Sequence, residues 1–154
     1  MAVARILAHS PTARTVELVG FTLEEPQHGS DGRFRHGSRR FAKRVRNQGK
    51  SYEGVFILES VGYTDSRFGG AAKEAVPELS TVSYEAPLRG WIMPMVRWSD
   101  HAPFWDRGYP ALMLTDTAPL RNPHYHQPTD TPDTLDYTFL TNVTRALLAG
   151  VASL

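Results

Sequence analysis

Three groups of acidic or imidazole side chains follow apolar stretches of this sequence. Glu24-Glu25 comes directly after TVELVGFTL, and Glu59 interrupts VFILESV. His124 and His126 stand two residues apart in a proline-bounded segment after a third stretch, ALMLTD. Carboxylates and imidazoles bind metals and move protons, and ionised carboxylates resist burial unless they are paired or bound to a cation. These residues are therefore candidates for a metal site that holds an activated water.

Each of these groups also has a structural explanation. A solvated loop accounts for Glu24-Glu25, because acidic pairs are common in loops. Structural pairing or hydrogen bonds to a neutral carboxyl group would satisfy Glu59 equally well. Ser99-Asp100-His101 has the residue types of a serine-hydrolase triad, but consecutive residues cannot adopt triad geometry and no Gly-x-Ser-x-Gly motif is present.

The elements that would position these residues alternate between strands and helices. This alternation predicts an α/β fold, a three-layer α/β/α arrangement with a mostly parallel central sheet, in which sites gather at the carboxyl ends of strands. Apolar runs predict three buried strands, and periodicity and capping residues predict three helices. The strands are expected at 15–23, 55–61 and 111–116. The helices are expected at 38–47, capped by Ser38, at 99–107, capped by Ser99, and at 134–154. Weaker patterns predict a short helix at 71–75 and a strand at 81–84.

Composition limits the classes of protein to consider. The 154 residues are 41% hydrophobic and 21% charged, which suits one globular domain. Cysteine is absent, so any metal must be held by histidines and carboxylates. No apolar run approaches the roughly 18 residues of a membrane span.

The charge of the chain is unevenly distributed. Residues 1–50 hold 10 basic and 4 acidic side chains, and eight of the basic ones lie between Arg33 and Lys50. Such a run could indicate a nucleic-acid surface or the solvated face of a helix. Phe41 and Val45 form one apolar stripe, and no nucleic-acid motif accompanies the run, so we expect a helix face and no nucleic-acid partner.

Four segments together resemble one known family. In order they are VGFTLEEP-x-HGS, VFILESVGYTD, RWSDHAPFWDRGYPALMLTDT and RNPHYHQPTDTPDTLDY. They resemble the C-terminal half of the zinc-dependent aminopeptidases, which are related to glutamate carboxypeptidase, glutaminyl cyclase and the transferrin-receptor ectodomain. The resemblance extends from about Arg14 to Val151.

The resemblance implies a role for each matching residue. Glu24 would be the general acid and base, and Tyr125 would stabilise the oxyanion. Glu25, Glu59 and His126 would bind zinc, of which the family holds two ions; many relatives have Asp at the position of Glu59. Asp100 matches an acidic residue near the site that orients other groups or the substrate amine. The implied reaction removes N-terminal residues from peptides.

Part of the family's metal-binding set is not found in this sequence. Relatives carry a His-x-Asp motif and a bridging Asp before the Glu-Glu pair, whereas residues 1–23 contain one histidine, His9, and no aspartate. A catalytic zinc normally has about three protein ligands. We therefore predict that residues 1–154 form a single, partial catalytic domain with at most partial zinc occupancy.

Two functions are compatible with these observations. The first is a truncated or split aminopeptidase that needs an upstream portion, either supplied in trans or lost at a gene boundary. The second is a noncatalytic binding module that keeps the peptidase fold. An incomplete sheet would also expose an edge at which the chain could self-associate.

Overall fold

A computed structural model describes residues 2–9, 12–22, 36–62, 79, 84–116 and 122–153. Mixed helices and strands in these residues confirm the α/β class. The α-helices are α1 (Ala2–Leu7), α2 (His36–Asn47), α3 (Ala102–Trp105) and α4 (Tyr137–Ala152), the strands are β1 (Val55–Glu59) and β2 (Ala111–Thr115), and short 3-10 helices span Pro87–Gly90, Pro94–Arg97 and Pro132–Thr134.

The strands β1 and β2 pair as a two-stranded parallel sheet. At their starts the Val55 amide donates to the Pro110 carbonyl at 2.9 Å, and beyond their ends the Asp116 amide donates to the Ser60 carbonyl at 2.9 Å. The start of β1 therefore pairs with the start of β2 and the end of β1 with the end of β2, so the two strands run parallel. Both predicted strands are confirmed as strands, with β1 ending two residues and β2 one residue earlier than expected. Their predicted burial is wrong, because their residues are only partly buried and Leu58 and Leu112 are exposed.

The buried strand predicted at 15–23 is wrong for the residues that the structure describes. Residues 15–22 belong to no helix or strand, and Leu18 and Val19 are exposed. An apolar run becomes a buried strand only where a neighbouring strand satisfies its backbone, and the described sheet pairs β1 with β2 alone. Self-association through a sheet edge stays a prediction.

The chain divides into two compact units. Unit I comprises Met1–Glu17, Glu59–Tyr84 and Thr115–Leu154, and unit II comprises Leu18–Leu58 and Glu85–Leu114. In unit II the buried core consists of Ala42, Val45, Phe104 and Tyr109. The Phe104 ring lies 6.1 Å from each of the rings of Phe21, Phe41 and Tyr109, within the range of favourable aromatic pairs.

Two predicted helices of unit II have different starts from those expected. Helix α2 begins at His36, so Ser38 lies inside the helix and is fully buried instead of capping it. Helix α3 is only four residues long, and Ser99 contributes a backbone carbonyl that accepts from the Ala102 amide at 3.2 Å. Both helices pack against each other, and the short Ser38 side chain fits the buried side of α2.

Unit I contains α1, α4 and the segment that follows β2. Helix α1 contacts α4, and Leu147 of α4 is buried. The predicted terminal helix is confirmed, and Asp136 caps it by accepting from the Phe139 amide at 2.9 Å. The predicted helix at 71–75 lies outside the described residues, as does the strand at 81–84 apart from Tyr84, which is in no strand. No helix within the described ranges is long and apolar enough to cross a membrane.

Candidate functional site

The acidic pair Glu24-Glu25 lies among residues 23–35, outside the residues that the structure describes. The roles that the family resemblance assigns to these two carboxylates therefore stay predictions. The described chain reaches Thr22 and resumes at the start of α2. At that point the Gly37 amide donates to the Thr22 carbonyl at 3.2 Å, which ties the two flanks of this segment together.

Glu59 is the last residue of β1 and belongs to unit I. Its side chain is half-buried, and the Ser60 hydroxyl donates to Glu59 Oε1 at 3.1 Å. Ser60 has φ of +50°, a left-handed conformation that costs free energy in a residue other than glycine. The strand thus ends abruptly at its carboxylate, at the edge where sites form in parallel sheets.

Tyr125 and His126 lie in the turn that follows β2, also in unit I. Their rings stack with centroids 4.1 Å apart and planes 21° apart. His126 is exposed and has φ of +57°. The neighbouring ring of His124 instead shares a hydrogen bond with the Thr129 hydroxyl at 3.0 Å, so the two imidazoles have different environments.

A set of hydrogen bonds holds the segment after Glu59. The Gly62 amide donates to Asp116 Oδ2 at 3.0 Å, and the Gly62 carbonyl accepts from the Asp136 amide at 2.8 Å. Asp136 in turn caps α4. A Cβ at Gly62 would lie 2.9 Å from Leu135, so glycine allows this close approach. The end of β1 is therefore fixed to the end of β2 and to the start of α4.

Asp116 and Asp136 are the residues of this neighbourhood that sequence reasoning missed as positioning groups. The sequence pattern predicts Asp116 only as the end of a strand and places Asp136 inside a helix. A sequence signal was present for Asp136, since an aspartate just before a periodic apolar segment is a typical N-cap. The burial of Asp116, which requires it to have partners, is known only from the structure. Nothing in the sequence identified Gly62 as their common partner.

Asp100 lies in unit II, two residues before the start of α3, and is buried. The following residue, His101, is 1% exposed; its Nε2 lies 2.8 Å from the Val96 carbonyl and its ring meets Trp105 edge-on at 4.4 Å. His101 therefore packs as a core residue of unit II. The orienting role of Asp100 stays a prediction.

The described donors do not by themselves fit a zinc site. Glu59 and His126 have the carboxylate and imidazole chemistry that zinc prefers. However, the described part of the chain contains no group of three or more His, Asp or Glu side chains that could hold a metal ion. Glu25, the third expected ligand, lies outside it. No catalytic step through zinc follows from these residues alone.

Comparison with known proteins gives two matches. The sequence profile described as Peptidase family M28 matches residues 1–151. A curated protein of Escherichia coli (strain K12), "Uncharacterized protein YfbL", is 29% identical over 169 aligned residues, which cover 87% of this chain and 50% of the relative. The chain thus spans about half the length of that relative. No solved structure matches the present chain.

Proposed function

This chain belongs to peptidase family M28, a family of metallopeptidases, and on that premise we propose that it carries part of a zinc aminopeptidase site. The substrate would be a peptide with a free N-terminus. Glu25, Glu59 and His126 would supply metal ligands, and the remaining ligands would come from residues that this sequence does not contain. Zinc, when bound, would supply a Lewis acid at the scissile carbonyl.

The residues of the chain itself would handle the proton and the developing charge. Glu24 would take a proton from the attacking water and return it to the leaving amine as the C–N bond breaks. The Tyr125 hydroxyl would donate to the oxyanion that forms on the carbonyl oxygen. Asp100 would orient neighbouring groups or the substrate amine.

One observation beyond family membership supports this assignment of ligands. In the described part of unit I, the non-glycine residues with positive φ are Ser60 and His126. One directly follows the expected ligand Glu59, and the other is itself an expected ligand. Strained backbone of this kind persists where the surrounding structure imposes it and is concentrated at functional sites.

Zinc titration of the purified full chain tests the proposal. We expect weak binding that falls by at least about tenfold in Glu25→Ala and His126→Ala, a loss of the size seen when a metal site is impaired. His124→Ala is the matched control, because it removes an imidazole two residues away and should leave zinc affinity unchanged. Equal affinity in the His126→Ala variant and the unmodified chain would refute the assignment.

An activity measurement completes this test. With added zinc, the chain alone should not cleave a free-amino peptide faster than a metal-free sample, because its ligand set is incomplete. Turnover by the pure, intact chain would overturn the incomplete-site proposal. Tight peptide binding that requires neither zinc nor Glu24 would instead favour the noncatalytic binding module.

A further inference from the structure

A groove in unit II lies between α2 and the chain that leads to Glu24. Its volume is about 330 Å³, at the lower end of the roughly 300–1,000 Å³ that is typical of ligand sites. Residues 19–22 form one side of the groove, and the described residues of the other side are Gly37, Arg40, Phe41 and Arg44 of α2. These residues together are named the arginine groove. None of them has a role in the proposed zinc site.

Helix geometry brings the α2 residues of the groove onto one face of the helix. Positions 37, 40, 41 and 44 follow the i, i+3, i+4 and i+7 spacing of neighbours on a helix surface. At one end the Gly37 amide donates to the Thr22 carbonyl at 3.2 Å, so the helix and the chain are in contact there. A Cβ at Gly20 would have nothing within 4 Å, which leaves free space beside that residue. The arginine groove is therefore narrow near Thr22 and open near Gly20.

Two aromatic rings form the apolar part of the groove. Phe21 and Phe41 are half-buried, and their rings meet edge-on with centroids 5.6 Å apart. Each ring also lies 6.1 Å from the ring of Phe104 in the core of unit II. Packing against this core holds both rings in place, so the apolar surface of the groove is formed before any ligand binds.

The cations of the groove are Arg40 and Arg44, which are both exposed. The guanidinium carbon of Arg44 lies over the Phe41 ring, 5.0 Å from its centroid. An arginine held over a ring in this way keeps N–H donors that can bind an anion. Within the described ranges neither arginine forms an ion pair, and residues 32–52 contain no acidic side chain. Like charges one turn apart on a helix repel each other, and a bound anion would remove this repulsion.

From this combination of charge and apolar surface we propose that the arginine groove binds an acidic segment of a peptide. Carboxylates would accept hydrogen bonds from Arg40 and Arg44, whose guanidinium groups suit bidentate pairing. An apolar side chain beside these carboxylates would pack against the two aromatic rings. The choice of a peptide as ligand rests on the proposed function, and Thr22 of the groove is two residues before the expected general base Glu24. The substrates would therefore be peptides with acidic residues close to their N-terminus.

A nucleic acid is a less suitable occupant of the arginine groove. Nucleic-acid sites commonly contact about 6–10 phosphates, whereas two cations of α2 line the groove among the described residues. Single strands also need aromatic faces on which their bases stack. Phe21 and Phe41 are half-buried against Phe104, and Arg44 already lies over the Phe41 ring. A short acidic peptide needs no more cations or ring surface than the groove provides.

Fluorescence anisotropy of labelled peptides with the purified full chain tests the proposal, in metal-free buffer so that zinc plays no part. The probe is Ala-Leu-Glu-Glu-Leu-Ala, and its matched control has glutamine in place of both glutamates. We expect the acidic peptide to bind at least about tenfold more tightly, which is the effect of one charge-assisted hydrogen bond. Added salt should weaken the binding of the acidic peptide, because it screens exposed charges.

Charge reversal identifies the residues responsible for this binding. Arg40→Glu and Arg44→Glu should each weaken the acidic peptide at least about tenfold and bind a peptide with lysine in place of both glutamates more tightly than the unmodified chain does. Arg40→Glu should fold normally, because Arg40 is exposed and forms no ion pair in the described part of the chain. The matched control is Arg46→Glu, the same substitution at an exposed position of α2 outside the groove. Residues two apart on a helix do not face each other, so this variant should bind within about twofold of the unmodified chain at about 0.15 M salt.

Three results would overturn the proposal. The first is equal affinity for the glutamate and glutamine peptides, and the second is a loss in Arg46→Glu as large as in the groove variants. The third is tighter binding of a single-stranded oligonucleotide than of the acidic peptide. A chain that binds zinc through Glu25 and His126 but not the acidic peptide would exclude the groove alone. Acidic-peptide binding by a chain with no zinc affinity would support the groove and exclude the zinc site.

Discussion

Replacing Gly37 with alanine sets two effects of opposite sign against each other at the start of α2. Alanine is favoured over glycine in a helix interior by about 0.8–1.0 kcal/mol, which is the upper bound for Gly37 in the first turn of α2. Against this, a Cβ at Gly37 would lie 2.5 Å from the carbonyl oxygen of Thr22 and 3.0 Å from its amide nitrogen. These are backbone atoms, which cannot rotate away as the end of a side chain can, so the chain around Thr22 would have to move.

The steric effect should dominate. Overpacking of this kind costs about 1–3 kcal/mol, and the shift would also weaken the hydrogen bond from the Gly37 amide to Thr22. The expected net loss of stability is about 1 kcal/mol, which lowers Tm by about 2–4 °C in a chain of this size. Since Thr22 is two residues before Glu24, zinc affinity should fall as well.

Gly20→Ala is the matched control, because Gly20 is two residues before Thr22 and nothing lies within 4 Å of a Cβ at that position. It should raise stability by about 0.4–1 kcal/mol through the lower entropy of the unfolded chain. Urea and thermal unfolding, followed by circular dichroism, measure both variants. A Gly37→Ala variant as stable as the unmodified chain would refute the close packing of residues 18–22 against α2.

Three further predictions concern unit I. His126→Gly should raise stability by about 1 kcal/mol in thermal unfolding, because glycine tolerates the left-handed backbone; a loss would contradict the strain. Asp136→Ala should lower the urea-unfolding free energy by about 1 kcal/mol through loss of the cap on α4, and an unchanged midpoint would argue against that cap. The Thr131 hydroxyl lowers the pKa of the exposed Asp133 carboxyl, so Thr131→Val should raise that pKa in an NMR titration.

The sign of the accompanying pH effect follows from the lowered pKa of Asp133. A carboxyl whose pKa is lower in the folded state than in the unfolded state stabilises the fold above the unfolded value. That contribution is lost as pH falls through the folded pKa. Thr131→Val should therefore lose less stability on acidification than the unmodified chain, by a small amount because Asp133 is fully exposed.

Local sequence patterns were sufficient for β1, β2 and α4. Their signals are short-range: continuous apolar runs for the two strands, and helical spacing of apolar residues for α4. The motifs around Glu59, Tyr125 and His126 also sufficed to identify the family, because they are segments whose residue order can be compared directly. These features need no knowledge of which distant residues meet.

The features that the sequence did not predict depend on contacts between residues that are distant in sequence. The apolar run at 15–22 reads as a buried strand, yet it pairs with no strand and most of it stays exposed, with Phe21 half-buried against the core of unit II. A strand requires a neighbour that the run itself does not specify. Ser38 reads as a cap, yet packing between α2 and α3 buries it within the helix. The bonds that join Asp116, Gly62 and Asp136 likewise depend on contacts between distant residues. Such contacts arise only when the chain has folded, because their free energy comes from burial and hydrogen bonding in three dimensions.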